Sequence, residues 1–97
     1  ISLKREKEFV LSKQVLRSGT SIGANIEEAI AAQSKKDFIH KMSISSKEAR
    51  ETKYWLRLLQ KSNLTTIDMS LYLSEIEDIV NILSSIVKTS RQRAINS

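Results

Sequence analysis

Met69-Ser70-Leu71-Tyr72-Leu73-Ser74-Glu75-Ile76-Glu77-Asp78-Ile79-Val80-Asn81-Ile82-Leu83-Ser84-Ser85-Ile86-Val87 is the stretch that decides the fold. At about 100° per residue, Met69, Tyr72, Leu73, Ile76, Ile79, Val80, Leu83, Ile86 and Val87 share one face. Glu75, Glu77, Asp78, Asn81, Ser84, Ser85 and Lys88 lie elsewhere. Such one-sided patterning predicts an amphipathic helix that buries its stripe against other helices. Just upstream, Thr65-Thr66-Ile67-Asp68 reads as a capping box, a hydroxyl with an acid three residues on. Lys61-Ser62-Asn63-Leu64 reads as a short turn, with Asn63 suited to a left-handed helix end. Ser34-Lys35-Lys36-Asp37 is a second capping box. Helices are therefore predicted at roughly 7–32, 35–62 and 66–92. Turns this short set consecutive helices side by side and antiparallel. The expectation is all-α: a single domain over 1–97, folded as an up-and-down antiparallel helical bundle.

The middle helix has two apolar sides. Phe38, Met42, Ser45, Ala49, Thr52, Leu56 and Leu59 form one seam, while Ile44, Trp55 and Leu58 fall opposite, near Glu48 and Glu51. A helix apolar on two flanks is sandwiched, and tryptophan is enriched where proteins meet. Ile44, Glu48, Glu51, Trp55 and Leu58 are thus the candidate surface for another copy of the chain. The competing reading folds Trp55 over a neighbouring helix. In the first helix Leu11, Val15, Ile22, Ile26 and Ala29 form the apolar stripe. Gln14, Arg17, Ser21, Asn25 and Glu28 run beside it. Gly19 and Gly23 lie one turn apart there, and glycine costs about 1 kcal/mol in a helix interior. They imply either close backbone approach or a local break. Two-faced helices ask for more cover than three helices give, so a fourth helix or neighbouring subunits are expected.

Of the 97 residues, 40% are apolar and 28% charged, a globular balance. With no proline and two glycines, a sandwich or barrel of many short strands is not expected. With no cysteine, disulfides, thiolate metal sites and cysteine nucleophiles are excluded. One histidine, His40, excludes any two-imidazole site, and no Glu-x-x-His motif for a di-iron centre exists. Glu48 and Glu51 could share an ion, although a salt-bridged acidic turn is the simpler reading. Gly19-Thr20-Ser21-Ile22-Gly23 has the wrong spacing for a phosphate loop. No cofactor and no enzymatic activity are expected. No run of apolar residues is long enough to span a membrane, and no signal peptide opens the chain, so a cytoplasmic protein is the expectation. The chain begins at Ile1 and not at Met, so an upstream segment is expected.

The formal charge is +5. The basic residues are uneven along the chain, with Lys13 and Arg17 on the first helix and Lys35, Lys36 and Lys41 opening the second. Those five are the candidate contacts to RNA or DNA. A basic surface attracts phosphate backbones without reading bases. Phe9, Phe38, Tyr54, Trp55 and Tyr72 are few for base stacking, so sequence-specific single-strand recognition is not expected.

The segment Gln14-Val15-Leu16-Arg17-Ser18-Gly19-Thr20-Ser21-Ile22-Gly23-Ala24-Asn25-Ile26-Glu27-Glu28-Ala29, followed by Ser34-Lys35-Lys36-Asp37-Phe38-Ile39, resembles a known family. It is similar to the four-helix-bundle proteins encoded in intervening sequences of 23S ribosomal RNA genes. Lys47-Glu48-Ala49-Arg50-Glu51-Thr52 and Tyr54-Trp55-Leu56 fit that family's third helix. The resemblance covers about residues 9–90. It implies a four-helix bundle whose first helix precedes Phe9, with Ile1-Ser2-Leu3 as its tail. Through a likeness to the accessory variability protein of diversity-generating retroelements, it also implies a homopentamer, association with nucleic acid, and a nucleic-acid enzyme as partner. The family's polar positions fall on Arg17, Ser21, Asn25, Glu28, Glu48 and Glu51, a set read as structural or subunit-orienting. Gly23 stands where members often carry proline, and Ala29 near a usual glycine, which alters the local kink. The expected function is a non-enzymatic oligomeric scaffold with sequence-nonspecific RNA or DNA binding. The alternative is a protein-only adaptor or assembly factor.

Overall fold

A computed structural model describes residues 3–96. Three helices follow in order: α1 (Leu3–Ile30), α2 (Lys35–Ser62) and α3 (Ser70–Asn96). They pack antiparallel into a flat rod of 56 × 21 × 15 Å. α2 lies in the middle. α1 and α3 each pack on it, and no Cα of α1 comes within 8 Å of a Cα of α3 among the described residues.

Local chemistry explains the helix ends. Ser34 is extended (φ −138°, ψ 154°), and its hydroxyl accepts the Asp37 N–H at 3.0 Å, so the predicted N-cap of α2 forms. Asn63 closes α2 in the left-handed region at φ 54°, ψ 31°. The second capping box does not form, and α3 begins at Ser70 and not near Thr66. Thr65 Oγ1 instead accepts the Ile67 N–H at 3.2 Å, and Asp68 Oδ1 accepts the Ser70 N–H at 2.9 Å. These side-chain turns compete with the helix and hold four residues out of it. α1 starts earlier than its periodicity suggested, at Leu3. Leu3 is thus continuous with α1 and not the tail of a preceding helix. Ile1 and Ser2 lie outside the described residues.

The core follows most of the predicted stripes, although Tyr72 and Ile79, expected on the buried face of α3, stay exposed because no helix covers that edge of the stripe among the described residues. Ile22, Ala29, Met42, Ala49, Leu56, Met69, Ile76, Leu83 and Val87 form one buried cluster, with Val15, Ile26, Phe38, Leu73, Val80 and Ile86 packed against it. α1 and α2 meet through small residues: Ser18, Ser45 and Ala49 are all 0% exposed. Ser45 Oγ donates to the Ile22 carbonyl at 2.9 Å, and Thr52 Oγ1 donates to Ser18 Oγ at 2.8 Å. Every buried side-chain polar atom among the described residues has a partner, as a hydroxyl removed from water requires.

Close approach is therefore made by serine and alanine, not by the glycines. A Cβ on Gly19 or Gly23 would meet nothing within 4 Å. Nor does α1 break there, since neither glycine has a positive φ. In urea unfolding, Gly19→Ala should raise stability by about 0.4–1 kcal/mol by restricting the unfolded chain. Ala49→Leu should lower it by about 1–3 kcal/mol, because a fully buried alanine has no room for added carbons.

Candidate functional site

The polar stripe of α1 faces α2. Arg17, at the middle of α1, reaches two carboxylates one turn apart on α2. Its Nη1 lies 3.5 Å from Glu48 Oε2, and its Nη2 hydrogen-bonds Glu51 Oε1. On its own helix, Nε donates to Gln14 Oε1 at 2.9 Å. Glu51 also accepts from the Trp55 indole N–H at 3.3 Å. One guanidinium thus satisfies an acidic pair at i and i+3, and orients α1 on α2. Glu48 and Glu51 are salt-bridged, the simpler of the two sequence readings. Among the described residues no three of His, Cys, Asp and Glu cluster closely enough to hold a metal ion.

The remaining members of the expected polar set divide locally. Asn25 Nδ2 donates to Ser21 at the carbonyl (2.9 Å) and hydroxyl (3.2 Å), within α1. Glu28 pairs with Lys41 of α2 at 2.9 Å. That hydrogen bond, and then the charge of Glu28, raise the Lys41 pKa above its ordinary value. The set is two separate rungs between α1 and α2, at Arg17 and at Glu28, with a local Asn25–Ser21 pair within α1, and not one connected network.

Of the five basic candidates, Arg17 and Lys41 are held in ion pairs. Lys13, Lys35 and Lys36 are exposed and make no ion pair among the described residues. Ile44, Trp55 and Leu58 are half-buried. Leu58 lines a shallow apolar hollow with Leu3, Val10, Leu11 and Leu64, so α1 already covers part of that flank. Trp55 and Tyr54 meet edge to face at 5.0 Å between ring centroids. The larger uncovered apolar surface lies on the outer helices, where sequence periodicity had not placed it. Tyr72, Ile79 and Ile82 of α3 are 49%, 38% and 58% exposed, and Phe9 and Leu16 of α1 are both 67% exposed.

A second polar seam, between α2 and α3, was not singled out from the sequence. Lys53 pairs with Glu77. The lysine's hydrogen bond is the main cause that lowers the Glu77 pKa. Arg50 Nη2 donates to Ser84 Oγ at 2.9 Å, and Arg91 Nη2 donates to Ser43 Oγ at 2.8 Å. None of these partners is close in sequence, so helix periodicity alone could not join them.

The class defined by these features is a small antiparallel helical bundle with polar rungs between helices and an incompletely covered apolar flank. No helix among the described residues is long and apolar enough to cross a membrane. The family model described as 23S rRNA-intervening sequence protein matches residues 1–85, and the chain belongs to that family. A solved structure from Bacteroides thetaiotaomicron, described as a protein with unknown function from the S23 ribosomal protein family, is 52% identical with a TM-score of 0.78. The match covers 86% of this chain and 75% of that one. None of the curated proteins matches.

Two measurements test the seams. In a double-mutant cycle of Arg17→Ala with Glu51→Gln, urea unfolding should give a coupling of about 0.2–1 kcal/mol, the range for an exposed pair. For Glu77 the folded pKa is depressed, so its contribution is full above the ordinary glutamate value and is lost as pH falls through the folded value. Melting temperature should therefore fall more steeply on acidification in the wild type than in Glu77→Gln.

Proposed function

We propose that this chain is a non-enzymatic scaffold subunit. It assembles with copies of itself, as a pentamer, is completed by a fourth helix, and holds RNA or DNA by its backbone without reading bases. The observation that carries this reading is the uncovered apolar flank. On α3, the exposed Tyr72, Ile79 and Ile82 lie within about 80° of one another, beside the buried stripe and away from α2. On α1, Leu16 and Ile30 stand exposed on the flank that also carries Gly19 and Gly23. Open space over both glycines leaves room for another helix to approach closely. A quarter of the Bacteroides relative's length lies outside the match, enough for a further helix there. Five is the subunit number that the family resemblance implies.

Nucleic-acid binding is supported by the +5 charge and by the three unpaired lysines Lys13, Lys35 and Lys36. Arrayed in a ring, each chain's excess would add to one positive field. The ion pairing of Arg17 and Lys41 favours the second reading, a protein-only adaptor, because those two cations are already occupied by carboxylates.

Sedimentation velocity on the wild type should give a multiple of the chain mass, and Ile79→Lys should shift it toward the monomer with helicity retained. Fluorescence polarisation with mixed-sequence RNA and DNA should show affinity falling at least about tenfold between roughly 50 and 200 mM salt. Oligomers with no nucleic-acid binding at the lower salt would leave the adaptor reading.

A further inference from the structure

Two helices of this chain carry the same short pattern. Ser43-x-x-x-Lys47-x-x-Arg50 on α2 recurs as Ser84-x-x-x-Lys88-x-x-Arg91 on α3. On each helix the serine, lysine and arginine fall within about 60° of one another. The helices run antiparallel, so the two copies face each other head to tail. Their bonding is reciprocal: Arg50 of α2 donates to Ser84 of α3 at 2.9 Å, and Arg91 of α3 donates to Ser43 of α2 at 2.8 Å. The result is a local pseudo-twofold clasp, and its six residues line an open groove of about 470 Å³.

The charge in this groove is unusual for the molecule. Four cations line it and no carboxylate does. Among the described residues, none of the four makes an ion pair, whereas Arg17, Lys41 and Lys53 each do. Each arginine has one hydrogen bond to a neutral hydroxyl, which fixes its position without cancelling its charge. Its other N–H groups remain to donate, since guanidinium carries five. All four cations are exposed to solvent. Packing four like charges together is unfavourable in the free protein, and an anion bound between them relieves that repulsion.

From this juxtaposition we propose that the α2–α3 groove is a binding site for the phosphodiester backbone of a nucleic acid, with Arg50 and Arg91 as positioned donors and Lys47 and Lys88 as flanking cations. It rests on the nucleic-acid reading above and moves the principal contact from the α1 and early-α2 lysines to this groove. Its form suits a strand better than a small phosphate. The groove is an open trough without a lid, and its cations lie on both walls. The near-twofold arrangement presents equivalent donors to a backbone of either polarity, which fits binding without base readout. Arginine forks match phosphate oxygens, and lysines supply charge without fixed geometry.

The test is a salt titration of a labelled mixed-sequence RNA, read by fluorescence polarisation. Lys47→Ala with Lys88→Ala removes two cations and leaves both arginine–serine hydrogen bonds intact. Lys4→Ala with Lys61→Ala removes the same charge at the far end of the bundle. Circular dichroism checks that both variants fold. The groove variant should lose about tenfold in affinity at low salt, and its slope of log affinity against log salt should be shallower by about 1.4, two contacts' worth for a single strand. The control should keep nearly the wild-type slope. Equal losses in the two variants would show a general charge effect and overturn the groove assignment while leaving nucleic-acid binding in place. Displacement of the RNA by inorganic phosphate, beyond that by chloride at equal ionic strength, would overturn it in favour of a free-phosphate site. No binding by the wild type would overturn this assignment and the nucleic-acid reading together.

Discussion

Close backbone approach between helices passes through α2, because among the described residues no Cα of α1 comes within 8 Å of a Cα of α3. That constraint explains the composition of α2. One of its flanks must admit α1 closely, and it does so with Ser45, Ala49 and Thr52 against Ser18 and Ile22. Its other flank must hold α3, and Arg50, Lys53 and Ser43 do this through polar bonds. Between the flanks, Met42, Ala49 and Leu56 carry the apolar cluster that both outer helices share. A helix asked to do three things has little surface left over.

The two seams differ in chemistry, and the difference bears on function. On the α1 side, cations meet carboxylates: Arg17 with Glu48 and Glu51, Lys41 with Glu28. Such rungs orient the helices and leave little net field. On the α3 side one ion pair forms among the described residues, Lys53 with Glu77, while Arg50 and Arg91 meet hydroxyls and Lys47 and Lys88 pair with no carboxylate. Charge that is not neutralised inside the chain must be balanced by solvent ions or by a ligand. The excess of +5 is therefore not spread evenly, and the α2–α3 side holds a concentrated share. Membership of the 23S rRNA-intervening sequence protein family assigns the chain an architecture and relatives. The activity has to be argued from where those charges and the bare apolar flanks lie.

Much of the fold was legible in the sequence. Strict periodicity from Met69 to Val87 marked α3, the Ser34 box marked the start of α2, and Asn63 marked its end, all for reasons local to a few residues. The start of α3 was misread because Thr65 and Asp68 serve equally well as helix caps and as short turns. Which one wins depends on how the loop crosses from α2 to α3. Neither expectation for the glycines, close approach or a local break, is met, because a missing Cβ fits an empty surface as well as a tight contact. The grouping of Arg17 with Glu48 and Glu51 was implied by the family resemblance; spacing alone placed Arg17 on the polar stripe of α1 and the two glutamates on one side of α2, without pairing them. The Arg50–Ser84 and Arg91–Ser43 exchange was not foreseen, although the repeated Ser, Lys and Arg spacing was there to be seen.

By itself, then, the amino-acid order determined the helices, their approximate ends and which faces are greasy, because these depend on a period of 3.6 residues and on caps within one turn. Only the tertiary structure decided which cations are neutralised and which stand free. Ion pairing is a matter of a few ångströms between residues tens of positions apart, and that distance is set by how α1 and α3 seat on α2, not by any spacing along the chain.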